Sequence, residues 1–318
     1  MFEKSFITDA INRSAENPVD RRRFLRAAGL TGVSVGAMTL LPQVAFAHDD
    51  PDIDPHPGQH GEGPSDAAIL NFALNLEYLE AEFYLRAVTG MGLDDSLTGG
   101  KGKHGDVLGG KAVPFETDKL RKIAEEIAAD EKAHVAFLRS ALGRAAVARP
   151  QIDLRDSFTA AAVAAGLIKQ GEMFDVFANE TNFLLGAFIF EDVGVTAYKG
   201  AAPLIDSKVY LEAAAGILAV EAYHAATIRT TLYSLGLEAP TTNISDLRDS
   251  VDGPTDDDQG IVIDGKANIV PTDSNGIAYS RSAAQVLNIV YLTPEEVTSG
   301  GFFPAGVNGK IRTSGHQH

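Results

Sequence analysis

Apolar side chains recur every three or four positions over four long stretches of the chain, the spacing that lays one face of a helix against a core. The first runs from Asp66 to about Val88, with Ile69, Leu70, Ala73, Leu74, Leu76 and Ala81 on the recurring positions and Asp66 placed to cap it. The second spans Thr117 to Leu142 and stops at Gly143. The third spans about Phe174 to Lys199, ahead of Gly200 and Pro203. The fourth spans Ser207 to Leu235 and ends at Gly236.

Between these stretches the pattern breaks. Residues 89–115 read as a Gly/Lys-rich loop. Pro150 opens a long connection that holds a short Ala-rich helix within 157–169. Residues 241–275 are rich in Asp, Gly and Pro, with a strand-like Ile261-Val262-Ile263. A last short helix is expected over 280–292 and irregular chain over 293–318. Four long helices with one long link between the second and third predict an all-α four-helix bundle over 66–240, with a crossover connection and an irregular C-terminal extension over 241–318.

The N-terminus has a different character. Asp20-Arg21-Arg22-Arg23-Phe24-Leu25-Arg26 precedes an apolar run from Ala27 to Leu41, and Ala45-Phe46-Ala47 supplies small residues for a signal peptidase. The run is too short and too rich in Gly and Ala to serve as a stable membrane anchor. Its Arg-Arg-x-Phe-Leu order resembles a twin-arginine export signal, an ordinary secretory signal being the alternative. Residues 1–47 are therefore read as a leader engaging the twin-arginine export machinery, and 48–65 as a flexible acidic linker. Cleavage near Ala47 would leave an exported protein, periplasmic where the cell has an outer membrane.

Composition narrows the chemistry. The 318 residues carry a formal charge of −16, and −18 once residues 1–47 are gone, which argues against nucleic acid as a partner. Cysteine is absent, so disulfides, thiolate metal sites and a cysteine nucleophile are excluded. Lys101 to Lys111 has glycines but lacks the ending of a phosphate loop. Asp256-Asp257-Asp258 lacks the spacing of a calcium loop.

Six of the eight histidines fall in soft segments. The two inside long helices each follow a glutamate by three residues, in Glu131-Lys132-Ala133-His134 and Glu221-Ala222-Tyr223-His224. Residues three apart share a helix face, so each pair can hold one ion. Glu77 on the first helix and Glu191 on the third lie among apolar residues, where a lone charge is costly unless paired or metal-bound. The halves echo each other: Tyr84 and Tyr198 follow Glu77 and Glu191 by seven, and Arg139 and Arg229 follow the histidines by five. Tyr84 and Tyr198 are candidates to hydrogen-bond a ligand or relay an electron, since helical side chains lean toward the N-terminus; the alternative is two core tyrosines. Glu80 and Glu82 are rival ligands to Glu77, or a solvated helix edge.

Together these motifs resemble the ferritin-like superfamily of dinuclear carboxylate proteins. More narrowly, Asn71 to Tyr84, Phe183 to Gly200, Glu221 to Leu232 and the Phe302-Phe303-Pro304 region are similar to the ferritin-like domain family that includes desiccation-related proteins. The resemblance implies metal ligands at Glu77, Glu131, His134, Glu191, Glu221 and His224, with Glu131 and Glu191 or their symmetry mates among the bridging carboxylates. Four glutamates balance two divalent cations. Oxygen and imidazole donors suit iron or manganese, zinc fitting less well because it is redox-silent. The expected function is redox chemistry with O2 or peroxide, such as Fe(II) oxidation or peroxide removal. A non-catalytic stress-protection protein is the rival reading. Long connections and the extra tail set the chain apart from cage-forming ferritins, though a smaller homo-oligomer fits.

Overall fold

A computed structural model describes residues 63–315; the expected leader, most of the linker and the terminal His316-Gln317-His318 lie outside the described residues. Four long helices form the bundle: α1 (Asp66–Thr89), α2 (Asp118–Leu142), α4 (Glu180–Ala201) and α5 (Lys208–Ser234). Helix α1 packs along α2 and α4 along α5, so the bundle is two helical hairpins facing each other. The crossover between them, residues 143–179, carries the short α3 (Asp156–Ala164). Among the described residues no helix is long and apolar enough to cross a membrane.

Each boundary has a local cause. Gly90 takes φ 77° after α1 and closes the last turn onto the Arg86 carbonyl. Ser207 caps α5 by accepting from the Tyr210 N–H. Asp66 is the first residue of α1 and not its cap. Its carboxylate instead accepts from the N–H groups of Asp206 and Ser207, tying the start of α1 to the start of α5. Helix α4 begins at Glu180, later than the apolar pattern suggests, because Asn179 caps it through the Asn182 N–H and Phe174 to Ala178 forms turns.

Helix α2 buries Leu120, Ala124, Ile127, Glu131, His134 and Leu138 and turns its other charged residues outward. Helices α1 and α4 are buried on nearly all sides, because loops and the C-terminal extension cover what the bundle leaves open. Two-residue strands β1 (Val107–Leu108) and β2 (Ile152–Asp153) pair in parallel and fasten the loop after α1 to the crossover. Rings of Phe83, Phe158, Phe183 and Phe190 meet at 5.4–5.6 Å, and Phe302 of the tail stands 4.9 Å from Phe190.

The extension holds more helix than its composition suggests. Helix α6 (Glu238–Asp252) crosses the expected boundary at residue 240, since Pro240 sits harmlessly in its first turn and Thr241, Ile244, Ser245, Arg248 and Val251 give it a buried face. Strands β3 (Val262–Ile263) and β4 (Lys266–Ala267) form a hairpin around Asp264 and Gly265, both at positive φ. Helix α7 (Ala283–Tyr291) starts with a capping box of Ser282 and Gln285.

A buried ionic cluster fixes the extension to the bundle. Asp192 of α4 accepts from Arg229 of α5 at 2.7 Å and from Arg248 of α6 at 3.1 Å. Asp258 bonds Arg248 and Arg281, and Arg281 also bonds Asp252 at 2.6 Å and the Thr196 hydroxyl at 2.9 Å. Three arginines face three aspartates, so no net charge is buried there. Asp258 of the acidic run is thus an ion-pair partner and not a calcium ligand.

Candidate metal centre

The six side chains singled out above converge at the middle of the bundle. Glu77 comes from α1, Glu131 and His134 from α2, Glu191 from α4, Glu221 and His224 from α5, and each is at most 8% exposed. Their donor atoms form two groups in which all atoms lie within 4.8 Å of one another. Glu77, Glu131, His134 and Glu221 make one; Glu131, Glu191 and His224 make the other. Glu131 is common to both, whereas Glu191 belongs to one alone and is not placed between them.

The donors face each other without satisfying each other. His224 Nδ1 lies 3.0 Å from Glu131 Oε1 and 3.6 Å from Glu191 Oε2. His134 Nδ1 lies 3.1 Å from Glu77 Oε2 and 3.4 Å from Glu131 Oε2. Yet both oxygens of Glu131, both of Glu221, Oε2 of Glu191 and Nδ1 of His224 make no hydrogen bond. A buried polar atom without a partner costs about 1–3 kcal/mol, more when charged. Six such atoms around one centre fit a cation pair held by oxygen and imidazole nitrogen, the donor set that iron and manganese accept.

The titration of the metal-free cluster shows the same deficit of positive charge. Burial, with repulsion from Glu131, pushes Glu77 up to about 7 against the pull of His134. Burial pushes Glu191 up to about 8 although His224 opposes it. Glu221 rises well above the carboxylate range through burial and its neighbouring glutamates. Burial alone would raise Glu131 too, but His134 and His224 outweigh it and hold this carboxyl ionised. Burial would lower the histidines; instead Glu77 and Glu131 raise His134 to about 11, and Glu191, Asp130 and Glu131 raise His224 to about 10. With no cation between them, the raised carboxyls and imidazoles favour holding protons.

The surrounding contacts cross the pseudo-two-fold axis. The Tyr84 hydroxyl donates to Glu191, and the Tyr198 hydroxyl donates to Glu77. Each tyrosine therefore supports the carboxylate of the opposite hairpin, both phenols being buried. The repeated arginines instead bond within their own hairpins, in matching places on both sides. Arg139 donates to the Tyr78 hydroxyl, beside Glu77, and Arg229 donates to Asp192, beside Glu191.

Sequence reasoning did not single out Asp130, whose carboxylate lies 3.3 Å from His224 Nε2 and turns Nδ1 of that ring toward the centre. Its signal was present as the acidic residue just before Glu131. Of the two rival ligands, Glu82 is a structural ion-pair partner: it accepts from Arg86 at 2.9 Å, from Arg149 and from the Leu93 N–H. Glu80 is buried beside the cluster.

Comparison with known proteins agrees with this fold. The ferritin-like domain family matches residues 65–234, the span of all four bundle helices. A desiccation-related protein of Craterostigma plantagineum is 31% identical over 89% of this chain and 93% of its own length. A ferritin-like catalase of Nesocodon mauritianus is 28% identical over 79% of this chain and 86% of its own. No solved structure matches at a significant level.

Proposed function

The chain belongs to the ferritin-like domain family, and from that premise we propose that it binds two divalent ions, iron or manganese, and uses them to consume peroxide. The observation that carries the reading is the set of buried, unpartnered oxygens on Glu131, Glu191 and Glu221 between two inward-turned imidazoles. Two such ions together can give up and regain two electrons, the number that separates peroxide from water on one side and from dioxygen on the other. Zinc would fill the site but not cycle.

The side chains have distinct tasks in this reading. Glu77 and His134 would hold one ion, Glu191 and His224 the other, and Glu131, common to both groups, would serve both. Glu221 closes the group around His134. Tyr198 and Tyr84 keep Glu77 and Glu191 in place by hydrogen bonds to those carboxylates, where they could supply a proton or an electron. Asp130 fixes the His224 ring. Phe83 and Phe183 of the aromatic cluster pack edge-on against the Tyr84 ring.

The name of the Nesocodon relative favours peroxide over other oxidants. Loading the purified protein with Mn(II) or Fe(II) and supplying hydrogen peroxide should release one O2 for every two peroxides consumed. Oxidation of Fe(II) without release of O2 would move the reading to a ferroxidase. The name of the Craterostigma relative motivates a second reading, a non-catalytic protein of desiccation tolerance that keeps the bundle; bound metal without turnover of either kind would favour it. We further propose that twin-arginine export delivers the protein outside the cytoplasm with cleavage near Ala47. The N-terminal sequence of the secreted protein tests that.

A further inference from the structure

The outer faces of α2 and α5 differ in kind. The exposed side of α2 carries Asp118, Lys119, Lys122, Glu125 and Glu126. On α5, among the exposed residues from Val209 to Ser234, Glu212 alone is charged. The middle of that face is built of Ala215, Gly216, Ala219 and Ala222, side chains small enough to let a second helix approach closely. From this low stretch one large ring projects. Tyr223 is 75% exposed, more than any other large apolar side chain among the described residues.

A cleft of about 520 Å³ opens beside that ring. Ala222, Ala225 and Ala226 of α5 and Val195 of α4 form one wall, and Ile269 and Val270 of the extension stand on the other. The polar groups at its edge are already engaged. Asp192 and Asp258 bond arginines of the buried ionic cluster, Gln259 bonds the Tyr279 hydroxyl, and Asp257 accepts from Thr255. Whatever fills the cleft therefore has to be apolar where it meets these walls. Beyond the cleft the extension exposes Val270 and Ile277, so ring, cleft and rim make one apolar patch.

We propose that this patch pairs with itself in a second copy of the chain about a two-fold axis, each Tyr223 ring lying in the other copy's cleft. A projection and a recess side by side on one face are self-complementary, because a two-fold axis carries each projection onto the other copy's recess. The ring can lie along the apolar walls with its hydroxyl at the open end. Charge selects the same partner. The mature chain carries −18, so two copies repel wherever their surfaces are acidic. Helix α5 lets them touch without bringing such charges together, whereas a partner recognised by charge finds little on it to grip. Size agrees. The 27 residues of α5 extend about 40 Å, and a helix is about 10 Å wide, so the helix alone offers roughly 400 Å². A standard interface takes about 800 Å² from each partner, which brings the cleft and the rim of Val270 and Ile277 into the contact. The inference is independent of the metal reading.

Sedimentation velocity of the mature protein over a hundredfold range of concentration tests it, with wild type, Tyr223→Ala and Ala226→Trp. Wild type is expected to pass from monomer to dimer as concentration rises, and to do so more readily at high salt, which screens the repulsion between copies. Tyr223→Ala removes the ring and Ala226→Trp fills the cleft. Each should weaken the dimer at least about 100-fold, because two aromatic anchors are lost per dimer. Both side chains reach solvent, so both variants should keep the wild-type circular dichroism. An equimolar mixture of the two variants should regain part of the dimer at concentrations where neither dimerises alone, since one intact ring then meets one open cleft. Wild type that stays monomeric at every concentration would overturn the proposal; if that monomer also binds anilinonaphthalene sulfonate and Ala226→Trp does not, the cleft is a small-molecule site instead. A dimer that survives in Tyr223→Ala would overturn it by placing the contact on another face. A mixture no more associated than its components would overturn it by showing that ring and cleft do not meet.

Discussion

Replacing Glu131 with Gln separates the one side chain common to both donor groups from the five that belong to one group each. Glu131 Oε1 faces His224 Nδ1 at 3.0 Å and Oε2 faces His134 Nδ1 at 3.4 Å, and this is the one residue present in both donor groups. Removing one partner from a buried, charged arrangement costs about 3–5 kcal/mol. At about 1.4 kcal/mol per decade, even the lower figure weakens each ion by roughly a hundredfold. Glu131→Gln should therefore lose both ions from a dialysed sample, whereas Glu77→Gln and Glu191→Gln should each lose one. Elemental analysis after dialysis against graded Mn(II) reads the outcome, and far-UV circular dichroism with thermal melting shows that each variant is folded. Retention of one ion at wild-type affinity in Glu131→Gln would refute the assignment of this carboxylate to both positions. Loss of both ions in Glu77→Gln would refute the division into two groups.

Four more outcomes follow from the same geometry. Tyr198→Phe removes the donor to Glu77 and should weaken the ion on His134 about 10–100-fold, while Tyr84→Phe should do the same to the ion on His224; binding isotherms distinguish them. Gly194→Ala places a methyl against the Glu221 carboxylate and should cost about 1–3 kcal/mol of metal-free stability by overpacking, along with metal affinity, as denaturant titration and dialysis would show. Arg281→Ala strands Asp252 in the interior and takes one of two arginines from Asp258, and should cost about 3–5 kcal/mol by chemical denaturation. The pH dependence should reverse with metal. Glu77 and Glu191 have folded pKa values above the ordinary carboxylate range, so their contribution is complete below pH about 4.5 and is lost as pH rises through about 7 to 8. His134 and His224, raised to about 11 and 10, act in the same direction above pH about 6.5. Glu131, held low, changes only in strong acid. The metal-free protein should thus melt at lower temperature at pH 8 than at pH 5, and the metal-loaded protein at higher, because protons and cations compete for the same atoms.

Much of the cluster was legible because its side chains obey local rules. Glu131 with His134 and Glu221 with His224 announce themselves by three-residue spacing within helices, and Glu191 stands out as a charge inside the apolar run Phe183 to Phe190. What escaped depends on how helices meet. Spacing suggested that each tyrosine turns back toward the metal level, but only packing of the two hairpins sets Tyr84 against Glu191 and Tyr198 against Glu77. Glu80 and Glu82 looked alike in sequence. Arg149, early in the crossover, takes up Glu82, and Gly194 on α4 opens the space beside Glu80. Arg229 was visible as half of a repeat, but its partner Asp192 sat unnoticed next to the more conspicuous Glu191. Helix α6 was hidden by the Asp, Gly and Pro that follow it, although its own residues keep a helical spacing of buried positions.

Anomalous diffraction from crystals of the manganese-loaded mature protein, collected on both sides of the metal edge, tests the central claim most directly. Two peaks about 3.5–4 Å apart, the spacing of paired catalytic metals, are expected at the core of the bundle, one beside His134 and one beside His224, with Glu131 between them. Crystals grown at saturating manganese that show no anomalous peak among these side chains, with protons or water bridging the carboxylates instead, would contradict it.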